Sequence, residues 1–165
     1  MTDDDKALLL AYLNSARAHV RAVLDGVQEA DRHRPLVPSG WSMVGLVQHL
    51  ALDVERFWFR VVMGGEDATL CTGSQAWQVD DATPSSDVLA AYQRECALAD
   101  EVISRTPLDA PAVVWRDEWG PLHVESLLDV VAHVLKETAT HAGHLDVARE
   151  LLDGHQHLVL TDVEA

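Results

Sequence analysis

The stretch His133 to Gly154, HVLKETATHAGHLDVARELLDG, constrains this chain more than any other. It contains no proline, and its one interior glycine, Gly143, costs a helix only about 1 kcal/mol relative to alanine. Asp153-Gly154 supplies a stop, because glycine accepts the left-handed conformation that ends many helices. At about 100° per residue, His133, Glu137, His141 and His144 fall within roughly 60° of one another. Beside them lies an apolar arc of Leu127, Val131, Val134, Leu135, Leu145 and Leu152. A carboxylate and imidazoles next to a core are costly to bury unless something pairs with them. A bound metal ion is the simplest single explanation. Glu137 and His141 stand about one turn, roughly 6 Å, apart and can grip one ion together.

The rest of the chain reads as further helices around this one. With 165 residues and 48% hydrophobic content, the chain is expected to form one domain over 1–165, with 155–165 a short tail. No regular apolar alternation marks strands, so the expected class is all-α. Leu9, Leu13, Ala16, Val20, Val23, Leu24 and Val27 form the stripe of a first helix over 4–26. Ser42 is placed to cap a second helix over 43–63, with a stripe of Val47, Leu50, Val54, Phe57 and Val61. His49 borders that stripe, with Asp53 one turn later. Thr83-Pro84 begins a third helix over 84–105, with Thr83 as cap, and the fourth runs over 122–153. Two links, 64–83 and 106–121, join them. The second carries Trp115-Arg116-Asp117-Glu118-Trp119, which suits a short hairpin, a lid, or a solvated loop anchored by its tryptophans.

Charge excludes some functions. A net charge of −15 disfavours nucleic acid, whose phosphates need basic surface. No apolar run is long enough to span a membrane. The start, MTDDDK, lacks the basic and apolar regions of a signal peptide, so a cytoplasmic location is expected. On that basis Cys71 and Cys96 read as free thiols, Cys96 as core packing. His19, His155 and His157 read as ordinary surface histidines.

Three segments carry a resemblance: SGWSMVGLVQHLALDVERFWF at Ser39–Phe59, the four-residue spacing of Glu137 and His141, and HAGHLDVARELLDG at His141–Gly154. With helix order and length, the chain resembles the DinB-like superfamily of metal-binding four-helix bundles. It is most similar to the branch that includes the mycothiol-dependent maleylpyruvate isomerase N-terminal domain. The resemblance implies an up-down-down-up bundle with one long crossover. It also implies a metal triad of His49, Glu137 and His141, with glutamate at a position where many members have histidine. His144, His133 and Asp53 would support those ligands. Arg56 and Arg60 are candidates to hold an anionic substrate. Two histidines and a carboxylate suit Zn²⁺, with Ni²⁺ or Fe²⁺ as alternatives. Three ligands leave an open position. The expected activity is a thiol-dependent, mycothiol-type S-transferase or isomerase acting on a small electrophile. A metal-dependent hydrolase and a non-enzymatic metal- or ligand-binding bundle are the alternatives. Habit among relatives and the apolar surplus suggest a homodimer.

Overall fold

In the computed structural model, which describes residues 3–119 and 124–157, every regular element is helical. Helix α1 spans Asp3–Val23, three residues short of the expected end. Its last carbonyls are taken by an arginine from the far end of the chain: Arg149 donates to Val23 O and Asp25 O, both at 2.7 Å. The chain then turns through Gly26, whose φ of 76° is open to glycine at little cost. At the other end of α1, Lys6 donates to Ser104 O and Thr106 O.

The connection after α1 contains a short helix, α2, Glu29–His33. It serves as a cap for a neighbour. The Glu29 carboxylate accepts from Ser85 N (2.6 Å) and from the Ser85 hydroxyl, where α4 (Ser85–Arg105) begins. Thr83 was expected in that role. Instead Pro84 holds the cap position without a side-chain bond, and the carboxylate arrives from another element.

Helix α3, Met43–His49, starts as expected, with Ser42 Oγ accepting from Gly45 N at 3.1 Å. The helix continues to Met63, but from Leu50 it is π-helical. Its buried residues then recur as pairs four apart: 50/51, 54/55, 58/59 and 62/63. The turn of a π-helix, closed by i→i+5 bonds, is wider than the 3.6-residue turn of an α-helix. Three rows follow from the same repeat. One holds His49, Asp53 and Phe57, and another holds Leu52, Arg56 and Arg60. The third is the core row Leu50, Val54, Trp58 and Val62.

Helix α5, Leu127–Asp153, begins with a reciprocal cap between Ser126 and Asp129 and ends at Gly154, φ 75°. The expected start at Leu122 lies outside the described residues. His19 meets Asp146 at 2.9 Å and Arg149 reaches the end of α1, so α1 and α5 run side by side in the same direction. His49 meets His141 and Trp58 meets His133, so 43–63 runs against α5. The core between them includes Leu13, Val20, Leu46, Phe59, Tyr92, Ile103, Leu127 and Leu145. No helix among the described residues is long and apolar enough to cross a membrane.

Buried charge crosses this core. Arg17 makes two bonds to Glu55, at 2.8 and 2.6 Å, and a third to Asp100 at 2.7 Å, with Glu55 fully buried. Burial alone would lower the Arg17 guanidinium; the Glu55 carboxylate outweighs it and holds Arg17 protonated. Glu95, 2% exposed, receives Arg56 (2.7 Å) and Arg60 (2.8 Å). Burial works to raise its carboxyl, but the two arginines prevail and lower it.

Candidate functional site

Both links are tied to the helix that carries His49. Gln48 Nε2 donates to Ala76 O and Gln78 O. Ala76 lies within a 3₁₀ turn at Gln75–Trp77, and Gln78 follows it. Gly45 makes that approach possible: a Cβ there would lie 2.3 Å from the Trp77 carbonyl oxygen. The second link docks through Val113 N and Val114 N on Val62 O, and it forms a 3₁₀ turn at Asp117–Trp119 in place of a hairpin.

Trp77, brought in this way, stacks on His49 with ring centres 4.1 Å apart and planes 16° apart. It also lies 5.6 Å from the His141 ring. The two imidazoles meet edge to face at 5.1 Å. Behind His49, Asp53 Oδ2 lies 3.0 Å from Nδ1, which leaves Nε2 as the ring's other nitrogen. Around His141, Glu137 Oε2 lies 3.7 Å from Nε2 and His144 Nδ1 lies 3.3 Å from Nδ1. Burial, reinforced by His49 and His144 and opposed by Glu137, lowers the His141 imidazole to about 4. At neutral pH it is therefore uncharged, the state in which histidine accepts a proton or binds a metal.

The structure thus brings His49, Glu137 and His141 together, sets Asp53 against His49 and sets His144 against His141. His133 packs its ring on Trp58 at 4.6 Å, and burial, opposed by Glu137, lowers its imidazole. Arg56 and Arg60, considered above for an anionic substrate, are engaged by Glu95, and Arg60 also by Glu66 at 2.6 Å. Among the described residues, no group of three His, Cys, Asp or Glu side chains stands so that it could hold a metal ion. His141 lies against His49 on one side and 3.7 Å from Glu137 on the other, and the three do not close into a ligand set. Glu137, with its side chain 27% exposed and also 3.4 Å from Lys136, is the most exposed of the three.

Both cysteine thiols are raised above their ordinary value. Burial, with Glu55 nearby, pushes the Cys96 thiol up to about 12. Burial and Asp53 also raise Cys71. The histidines near the chain end make a separate contact, His157 lying against His19 at 4.3 Å. Trp77 was missed by sequence reasoning. The available signal was Gly45, a glycine inside a helix three residues after its cap, which marks close backbone approach.

A family model described as Mycothiol-S-transferase matches residues 8–154. No curated protein and no solved structure matches the chain.

Proposed function

Since the chain belongs to the mycothiol S-transferase family, we propose that it joins the sulfur of mycothiol to a small electrophile at a divalent metal held by His49, Glu137 and His141. The observation that carries this reading is the meeting of His49 and His141 beside Trp77, with a carboxylate one turn from each. The donor chemistry fits a divalent ion, since two imidazoles and a carboxylate are a common three-ligand set for zinc. When bound, such an ion favours thiolate over thiol.

The chain's own residues prepare that chemistry. Asp53 accepts the Nδ1 proton of His49, which fixes the tautomer and presents Nε2. His141 is uncharged at neutral pH, so no proton has to leave before it can donate its lone pair. Trp77 covers both rings and excludes water from one side. The transfer forms a sulfur–carbon bond. In a substitution the leaving group departs with its electron pair and the thiol proton passes to solvent. The raised thiols of Cys71 and Cys96 disfavour a competing protein thiolate.

The test is conjugation of a generic electrophile by metal-loaded protein, with mycothiol and glutathione compared. Metal-dependent turnover that favours mycothiol supports the proposal. Equal, metal-independent rates with both thiols reject it. Metal content should be read by mass spectrometry on untagged protein. A truncation after Gly154 run beside it removes binding at His155 and His157.

A further inference from the structure

We infer that the acceptor seat of this enzyme is the pocket between the π-helical segment and the two links, and that it takes an uncharged aromatic electrophile. The inference rests on the transferase reading and names its second substrate.

The pocket has a volume of about 290 Å³ and is lined by Asp53, Phe57, Trp58, Leu70, Cys71 and Trp119. That volume suits a molecule of one or two rings. Its location follows from the four-residue repeat, which puts Asp53 and Phe57 in one row with His49. Asp53 belongs to both places: it lines the pocket, and its Oδ2 holds His49. A molecule in the pocket is therefore one side chain away from the two histidines.

The walls select for flat, apolar rings. Phe57 meets Trp58 at 5.0 Å and 81°, and meets Trp119 at 5.1 Å and 78°. Trp115 braces both tryptophans, at 6.0 Å from Trp58 and 5.8 Å from Trp119. These perpendicular rings make a corner of faces and edges, and an aromatic guest finds stacked and edge-on partners in it together. Charge argues against an anion. Among the described residues, Asp53 is the only charged one in the lining. Of the arginines nearby, Arg56 is bound to Glu95, while Arg116 lies over Trp119 at 5.4 Å and 3.7 Å from Glu118. The remaining polar lining group, Cys71, is a neutral thiol.

With 1-chloro-2,4-dinitrobenzene as the probe acceptor, the sulfur–carbon bond forms, the carbon–chlorine bond breaks, chloride leaves with the electron pair, and the thiol proton goes to solvent. Binding is tested separately on the full chain without thiol or metal, by calorimetry with 1,3-dinitrobenzene, which has no leaving group. One molecule should bind per chain. Leu70→Asp and Trp119→Ala should each weaken binding at least tenfold, Leu70→Asp with the melting temperature unchanged, since Leu70 lies outside the helices of the described residues and its replacement spares the core. The anion 3,5-dinitrobenzoate should bind at least tenfold more weakly than the neutral compound. In turnover with mycothiol, Leu70→Asp should raise KM for the chlorinated probe more than it lowers kcat. No binding, binding indifferent to both variants, or equal binding of the anion overturns the inference. Turnover that proceeds but ignores both variants overturns the pocket alone and leaves the transferase reading standing. Binding as expected without any mycothiol conjugation rejects the transferase reading, and the acceptor role with it.

Discussion

Asp53 and His49 sit one turn apart on the same helix, with Oδ2 3.0 Å from Nδ1, at the point where the helix widens from α to π. The carboxylate sets which nitrogen of His49 faces its partners. Asp53→Asn keeps the shape and removes the charge. It should weaken zinc binding by about 10–100-fold, the usual effect of removing a ligand's supporting partner. Titration calorimetry measures this directly, and an unchanged affinity would show that Asp53 does not orient His49.

Glu137→Gln removes a charged donor at nearly constant size. Metal content of the untagged protein should fall sharply, as it should for His49→Ala and His141→Ala. His155→Ala, beyond the end of α5, should leave stoichiometric binding intact. A metal content that follows His155 instead would move the site to the chain end.

Gly45→Ala would place a Cβ 2.3 Å from the Trp77 carbonyl oxygen. The link must move away. Overpacking of this kind costs about 1–3 kcal/mol, visible as a lower denaturation midpoint. Because the displaced residue stacks on His49, zinc affinity should fall as well. A variant with lower stability and unchanged affinity would separate Trp77 from the site.

The Arg17–Glu55 pair is fully within the core, with side-chain exposures of 4% and 0%. Arg17→Met strands a buried carboxylate, and the expected cost is about 3–5 kcal/mol. Arg17→Met with Glu55→Leu removes both charges and should be more stable than Arg17→Met alone. Chemical denaturation of the two variants decides it.

Glu95 has a carboxyl lowered in the folded state despite its burial, because Arg56 and Arg60 bind the charged form. Its contribution to stability is therefore complete above the ordinary carboxylate value of about 4.3. It is lost as the pH falls through the lower, folded value. Glu95→Gln should be less stable than the parent at pH 7, and the gap should narrow below about pH 4. A gap that widens in acid would reverse the sign and reject the assignment.

Much of the frame is legible in the residues. Ser42 and Gly154 mark helix ends by known local chemistry, and the four-residue spacing of Glu137 and His141 places both on one face. The match of 8–154 to the family agrees with the likeness read from Ser39–Phe59 and His141–Gly154. What stays hidden depends on distant partners. Glu55 and Arg17 look like surface residues on their own helices; each is tolerable inside only because the other is there. Arg56 and Arg60 look free for a ligand until α4 delivers Glu95. The cap on α4 comes from Glu29, 56 residues upstream, and no local pattern around Thr83 announces it. The shift to a π-helix at Leu50 is equally silent, since a stripe drawn at 3.6 residues selects Phe57 and passes over Trp58 and Phe59, which are the more buried pair.

That widened helix also bears on how the chain can change in length. In a segment whose rows repeat every four residues, inserting or deleting one residue turns everything beyond it by about a quarter turn. One edit between Asp53 and Phe57 would carry Phe57 out of the aromatic corner and swing Arg56 and Arg60 away from Glu95 together. The segment Leu50–Met63 therefore works as a fixed-length gauge, in which a side chain can be exchanged but a residue cannot be added or lost without a compensating edit nearby. Insertions should collect instead in the links at 64–83 and 106–121, where a longer loop can reshape the pocket mouth and leave the gauge untouched.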